Sequence, residues 1–315
     1  MAHYVFFFLA AVVLLFSSGA PVLAQADSVE PVQALRQSEE IGEYSISWTL
    51  YGTSQPALRR RSEQLKTQLI AQINLLEQLK VAQAPPREVY QLLKQLQTAC
   101  TRSGGALNPQ DYSLRAAWGF TPLSLSFRVP TPEERANYLE AMNCQKISTL
   151  EQPLSTAYFG AGWLIDQSRD VLRPEGLITA SQLEINEVAF YQGQPPQARA
   201  WKVPIYHPRQ KETLIQYFYL QNQALSTLRD ATHHFYFNGL RYPDFIDGRT
   251  GQSHIENAGA YVLSESALES QLLARMAVVM DKASLQQVLP QYGTVRMIRW
   301  QEQLGRLMPQ EFSNP

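Results

Sequence analysis

The chain has 315 residues and a formal net charge of -1, and 45% of its residues are hydrophobic. This composition indicates a folded protein with a sizeable core and excludes a disordered chain. The near-neutral charge and the lack of a long basic run argue against nucleic acid as a partner.

The N-terminal segment predicts export from the cytoplasm. An unbroken apolar run over residues 5–16 is followed by small residues up to Ala24, which is typical of a signal peptide over residues 1–24. An uncleaved anchor is the alternative, although the run is short for a membrane span. No cysteine follows the run, which argues against a lipid anchor. We therefore expect a soluble periplasmic or otherwise exported protein with no stable membrane span after cleavage.

The first half of the remaining chain is predicted to be mainly helical. Residues 25–42 are polar and lack periodicity, which indicates a flexible lead-in. Alternation over residues 43–51 predicts a strand. Apolar residues three and four apart over residues 56–80 predict a long amphipathic helix. A second helix is predicted over residues 86–102, and it ends where Gly104 and Gly105 allow a left-handed cap.

The second half is predicted to be richer in strands. Thr131 before Pro132 predicts the start of a short helix, and residues 160–166 lead into another. Further strands are expected at 177–191, 200–206, 213–225, 233–238 and 294–300, with helices at 264–280 and 283–291, before a C-terminal tail at 301–315. This succession predicts the α+β class, with a largely antiparallel sheet flanked by helices in a single compact unit.

Cys100 and Cys144 are the only cysteines. An oxidising compartment would permit a disulfide between them. Two buried thiols are the alternative, because the sequence does not give the distance between the two Cα atoms. Both interpretations stay open at this point.

Common catalytic and metal-binding motifs are absent from the sequence. There is no phosphate loop ending in Gly-Lys-Ser/Thr, no Cys-x-x-Cys and no His-Glu-x-x-His. His233 and His234 would point to opposite faces of a strand, so they are poorly placed to bind one metal ion. No catalytic residue and no metal site are assigned from the residues alone.

The loop from Asp247 to Gly251 is the strongest candidate for ligand binding. Gly248 and Gly251 allow the backbone to approach a ligand closely, and Arg249 can neutralise a phosphate. Asp247 can hold the arginine or the loop in place. The alternative is a purely structural hairpin turn that is stabilised by an Asp–Arg ion pair.

Five segments in a fixed order point to a known family. They are Asn108-Pro109, Trp118-Gly119-Phe120, Gly160-Ala161-Gly162 with Asp166, Asp247-Gly248-Arg249-Thr250-Gly251, and the helix beginning near Ser264. With this order and spacing, the chain from Glu43 to Trp300 resembles the ApbE family of FAD:protein FMN transferases. The corresponding family segments are roughly Asp-Pro, Trp-Gly-Phe, Gly-Gly-Ile-Ala-Lys-Gly with a later Asp, His-Ile-Ile-Asp-Pro-Arg-Thr-Gly, and a helix with a metal-binding Asp and Thr.

The resemblance implies an ApbE-like fold over residues 43–300 and a phosphoryl-transfer reaction. Family members use FAD as substrate together with Mg²⁺, and attach FMN to a Ser or Thr of another exported protein while AMP leaves. The implied nucleotide-binding residues are Asp247, Arg249, Thr250 and Gly251, with Gly160, Ala161 and Gly162 as a second backbone wall.

The chain departs from the family pattern at several of these places. Tyr158 replaces a glycine, the lysine of the glycine-rich loop is absent, and Asp244 replaces the histidine that leads the later loop. The metal-binding Asp and Thr positions fall at Gln271 and Arg275. Neither residue is a good Mg²⁺ ligand, although an arginine could serve as a counter-charge for a pyrophosphate. The family's Tyr- and Ser-rich loop also has no room within residues 79–86.

Two functions are therefore expected from different classes. The first is an exported FAD:protein FMN transferase-like protein with its activity in question, acting on an exported flavin-acceptor protein. The second is a pseudoenzyme, a non-catalytic ApbE-like envelope protein that binds a partner or a nucleotide without transfer. Bound FAD and Mg²⁺ are expected only in the first case, and nucleic acid is expected in neither.

Overall fold

An eight-stranded antiparallel sheet forms the centre of the fold. The computed structural model describes residues 31–81, 84–121, 124, 126–210 and 212–314, so the predicted signal peptide lies outside the described residues. The strand order is β1-β2-β3-β4-β7-β10-β11-β12, and β5–β6 and β8–β9 form two separate hairpins. The strands are β1 (Gln33–Ile41), β2 (Tyr44–Gly52), β3 (Ile178–Ile185), β4 (Val188–Gly193), β5 (Trp201–Tyr206), β6 (Leu214–Leu220), β7 (Gln223–Arg229), β8 (His234–Phe237), β9 (Leu240–Pro243), β10 (Asn257–Ser264), β11 (Val295–Gln303) and β12 (Arg306–Asn314).

Seven α-helices lie in the described part of the chain. They are α1 (Gln55–Gln78), α2 (Tyr90–Arg102), α3 (Tyr112–Trp118), α4 (Pro132–Glu140), α5 (Gly160–Leu172), α6 (Ala267–Val279) and α7 (Lys282–Val288). The predicted α+β class with a single compact unit is confirmed, since residues from Val32 onward form one unit. None of the described helices is long and apolar enough to cross a membrane.

The core lies mainly between one face of the sheet and helices α1, α2, α5 and α6. Strand β2 shows how the sequence builds it: Tyr44, Ile46, Trp48 and Leu50 alternate along the strand and are all buried. The Trp48 indole nitrogen donates to Ser62 Oγ on α1 at 2.9 Å, which satisfies the buried polar atom. A smaller apolar cluster lies between the other face of the sheet and the β5–β6 hairpin.

Two predictions at the ends of the folded region are corrected. Residues 33–41 form β1, where a flexible lead-in was expected, and residues 306–314 form β12, where a tail was expected. Each strand pairs with its neighbour through a short hairpin, and only a few of its side chains reach the core: Leu35 and Ile41 from β1, and Phe312 from β12. Both are edge strands, and their polar composition is typical of such strands.

The structure resolves the two alternatives for the cysteines. Cys100 at the end of α2 and Cys144 form a disulfide, with their Cα atoms 5.5 Å apart. This bridge ties the segment after α4 to the helical layer. The two cysteines are separated by 44 positions in the sequence, so the bridge closes a long loop.

Candidate functional site

Helices α5 and α6 meet closely and position the candidate site. Asp166 on α5 accepts hydrogen bonds from Ser266 Oγ at 2.6 Å, Ala267 N at 2.9 Å and Leu268 N at 3.0 Å. A carboxylate at this helix N-terminus satisfies unpaired donors and complements the helix dipole. Gly162 permits the close approach, because a Cβ there would lie 2.5 Å from Ala267 O.

A cleft of about 520 Å³ opens beside these helices, a volume within the range of small-molecule sites. It adjoins a second hollow of about 450 Å³ that shares Glu43, Arg115, Phe120, Thr156 and Ala157 with it. The cleft walls come from the β1–β2 turn, the start of α5, the β3–β4 turn, β7 and α6. Its charged lining residues are Glu43, Arg115, Glu187, Arg229, His233, Asp244 and Arg275.

A buried ion cluster occupies the middle of the cleft. Arg115 pairs with Asp244 through both guanidinium nitrogens, the second at 2.6 Å. Arg275 donates to the Asp244 backbone oxygen at 2.8 Å and lies 3.5 Å from Asp244 Oδ2. Arg115 and Asp244 side chains are 5% and 4% exposed, so the pair is shielded from water. Two cations thus share one carboxylate within the protein itself.

Tyr158 is the aromatic centre of this cluster. The Arg115 guanidinium lies 5.1 Å from the centroid of the Tyr158 ring, and the Arg275 guanidinium lies 4.9 Å from it. The Tyr158 hydroxyl donates to Asp111. Burial raises the pKa of the Asp111 carboxyl to about 7, although Arg115 opposes this shift. The ring therefore fills space that a glycine at this position would leave open.

The cluster joins three separate departures from the ApbE pattern. By the sequence resemblance, Tyr158, Asp244 and Arg275 are predicted to fall at a glycine, a histidine and a metal-binding threonine position of that pattern, far apart in the sequence. In the fold, Arg275 contacts both of the others. The three replacements therefore form one interacting unit, in which each side chain accommodates the others.

The residues present do not fit a Mg²⁺ ion. Gln271, at the position of the metal-binding aspartate, accepts from Gly162 N at 2.7 Å and donates to Ala157 O at 3.1 Å. Both ends of its amide are thus used within the protein. Arg275 brings a cation where a metal ligand would be required. Within the described residues, no group of three or more His, Cys, Asp or Glu could hold a metal ion.

The predicted site residues are divided between two places. Ala161 lines the cleft, with Gly160 and Gly162 buried beside it in the first turn of α5. The Asp247–Gly251 loop lies elsewhere, near the far end of α6, where Arg249 contacts Val279 O at 3.4 Å. None of the four predicted loop residues lines the cleft.

The loop is a turn held by internal contacts. Gly251 N donates to Asp247 O at 2.7 Å, and Arg249 pairs with Asp247 Oδ2 at 2.7 Å. Trp118 donates to Gly251 O at 3.0 Å, and Gly248 N donates to Ala106 O at 2.9 Å. Two of the other segments that carry the family resemblance, at Asn108 and at Trp118, therefore lie against this turn. A role of the loop in nucleotide binding stays a prediction.

His254 adds a pH-dependent contact to the turn. It lies 3.3 Å from Asp247 Oδ2 and 2.8 Å from Glu256 Oε1. Burial lowers the pKa of His254, but the hydrogen bonds to the two carboxylates outweigh it and raise the pKa to about 9. The pKa of Asp247 falls to about 2, because hydrogen bonds from His254 and Arg249 outweigh the effect of burial.

We expect His254→Gln to destabilise the protein in a pH-dependent way. Because the folded-state pKa is raised above 6.5, the protonated histidine stabilises the fold fully below pH 6.5. That contribution is lost as the pH rises through about 9. Allowing for solvent screening, it amounts to roughly 1–2 kcal/mol. Urea unfolding of both proteins from pH 5.5 to 9.5 measures it, and a constant difference across this range would contradict the assignment.

Arg229 is a cleft residue that sequence reasoning missed. Within the described part of the chain its guanidinium makes no hydrogen bond, and its nearest carboxylate oxygen is Glu187 Oε1 at 3.8 Å. It lies in β7 and belongs to no sequence motif. The only sequence signal was the alternation of β7, which places this side chain on one face of the sheet. Its side chain is 25% exposed, against 5% for Arg115 and 10% for Arg275, so it is the best placed of the three to meet an anionic ligand.

Comparisons with known proteins agree with the fold and the motif order. The profile described as the ApbE family matches residues 56–298. The apo flavinyl transferase ApbE of Pseudomonas stutzeri is 18% identical with a TM-score of 0.75, over 89% of this chain and 95% of that one. The flavin transferase ApbE of Vibrio cholerae is 18% identical with a TM-score of 0.71, over 90% and 97% of the two chains.

The ApbE protein of Thermotoga maritima is 17% identical with a TM-score of 0.69, over 85% of this chain and 94% of that one. No curated protein sequence matches. At these identities the solved structures establish the fold, and the matched profile covers most of the chain.

Proposed function

The chain belongs to the ApbE family, and we propose that it is a flavin-transferase-like protein that binds a nucleotide without Mg²⁺-dependent FMN transfer. We also propose that it is exported, since the apolar run before Ala24 has the pattern of a signal peptide.

The observation that carries the loss of transfer is the Arg115–Asp244–Arg275 cluster. In the family, Mg²⁺ neutralises the pyrophosphate and is held by oxygen ligands. The resemblance assigns Arg275 and Gln271 to those ligand positions, and in the structure their side chains form hydrogen bonds within the protein. An arginine supplies positive charge but cannot reproduce octahedral oxygen coordination.

Three features support nucleotide binding in the cleft. The volume suits a small molecule, and the adjoining hollow extends it. Arg229 offers a partly exposed cation for a phosphate, because its ion pair with Glu187 is long at 3.8 Å. Ala161 lines the cleft in the first turn of α5, which is consistent with the Gly160–Gly162 segment as a wall of the proposed site.

Titration of the purified protein with FAD, monitored by flavin fluorescence, tests whether the protein binds the nucleotide and whether binding needs Mg²⁺. We expect saturable binding with the same affinity in excess Mg²⁺ and in EDTA. Coexpression with an exported flavin-acceptor domain, read by in-gel flavin fluorescence, is expected to give no covalent flavin. Metal-dependent labelling of the acceptor would overturn the proposed function in favour of an active transferase.

Two variants locate the ligand. Arg229→Met is expected to weaken FAD binding at least tenfold, since a charged hydrogen bond is worth about 1.5–3 kcal/mol. Arg249→Ala decides whether the Asp247–Gly251 loop also contacts the nucleotide. Weaker FAD binding would show that the loop contacts the nucleotide, and unchanged affinity would show that it does not.

A further inference from the structure

A second cavity of about 440 Å³ lies on the other face of the sheet, beneath the β5–β6 hairpin. Its floor comes from β3, β4, β7 and β10, and its roof from β5. Ala189 of β4 lies at the centre of the floor, opposite Glu184 of β3 on one side and Leu225 of β7 on the other. The small alanine side chain leaves room between the sheet and the hairpin.

The floor of this hairpin cavity is unusually polar for a covered sheet face. Gln182 and Glu184 project from β3, and Thr227 and Arg229 project from β7. Burial raises the pKa of the Glu184 carboxyl, and Arg229 opposes this shift from a distance. The aromatic walls are Tyr191, Trp201 and Tyr261, which are each less than 9% exposed. Apolar walls with a few convergent polar groups are typical of ligand sites.

The hairpin cavity and the cleft border the same part of the fold. They share Asn186, Glu187, Thr227 and Arg229 as lining residues, at the β3–β4 turn and the end of β7. Arg229, whose ion pair with Glu187 is long at 3.8 Å, therefore lines both cavities. A phosphate held there can carry one group into the cleft and another beneath the hairpin.

We infer that the hairpin cavity receives the heterocyclic ring of a nucleotide whose phosphate is held at Arg229. This inference rests on the proposed function. The Glu184 carboxylate accepts a hydrogen bond from a ring N–H, and the Gln182 amide pairs with a neighbouring ring donor or acceptor. The aromatic walls and Ala189 provide a flat apolar surface for the ring.

The test compares two probes, FAD and inorganic pyrophosphate, both in EDTA and both measured by calorimetry. Glu184→Gln keeps the size of the side chain and removes its charge, and it is expected to raise the dissociation constant of FAD about tenfold. Ala189→Leu fills the space above the cavity floor, and it is expected to abolish the contribution of the ring to FAD affinity. Neither change is expected to alter pyrophosphate binding, because pyrophosphate has no ring.

Glu140→Gln on the exposed face of α4 is the matched control and is expected to bind both probes as the wild type does. Thermal unfolding checks that each variant is folded. If Ala189→Leu does not fold, the result for Glu184→Gln alone decides whether the ring lies in the hairpin cavity. If both probes bind and Glu184→Gln leaves FAD affinity unchanged, the hairpin cavity does not hold the ring, while the proposed function stands. If the wild type binds neither probe, the proposed function fails, and this inference fails with it.

Discussion

Asp244→Ala is expected to lower the free energy of unfolding by about 3–5 kcal/mol. The carboxylate is 4% exposed and is shared by Arg115 and Arg275. Its removal takes away the carboxylate that two buried guanidinium groups share, and the burial of a poorly compensated charge costs far more than the loss of a neutral contact. Urea unfolding of the wild type and the variant measures the difference.

A surface pair provides the matched control for this prediction. Lys146 and Glu151 lie 2.8 Å apart, with side chains 53% and 48% exposed. We expect Glu151→Ala to leave the unfolding midpoint unchanged, because water replaces the lost contact. Adding Arg275→Thr to Asp244→Ala should recover part of the lost stability, since it removes one of the two cations that shared the carboxylate. Equal small effects of Asp244→Ala and Glu151→Ala would contradict the buried cluster.

Replacing Cys100 and Cys144 together by serine is expected to cost about 4 kcal/mol at 25 °C. The estimate follows from the entropy that a bridge removes from the unfolded chain when it closes a loop of this length. Denaturant unfolding of the wild type with and without a reductant should show the same loss as the double-serine variant. The variant should be insensitive to the reductant, whereas equal stability of the oxidised and reduced wild type would contradict a stabilising bridge.

The sequence predicted the elements that have strong local signals. The 3.6-residue periodicity identified α1, and the alternation of Tyr44, Ile46, Trp48 and Leu50 identified β2. Strand β10 was missed because all its residues are buried and its sequence Asn-Ala-Gly-Ala-Tyr-Val-Leu-Ser does not alternate. The edge strands β1 and β12 were missed because few of their side chains reach the core and their pairing with a neighbouring strand cannot be read from local sequence.

The candidate site was only partly predictable. The motif order identified the family, but a single sequence does not show that residues 158, 244 and 275 are in contact. The Asp247–Gly251 loop has the composition of a phosphate site, yet its charges are paired within a turn. Arg229 belongs to no motif, and its position in the lining of two cavities follows only from the register of β4 and β7.

The contacts among Tyr158, Asp244 and Arg275 also constrain how the cleft can be re-engineered. Arg275→Thr alone removes a cation that contacts both Asp244 and the ring of Tyr158. Asp244→His alone removes the carboxylate that Arg115 and Arg275 share. The effects of the single replacements are therefore not expected to add, so a return to the family pattern would need the interdependent residues to be replaced together.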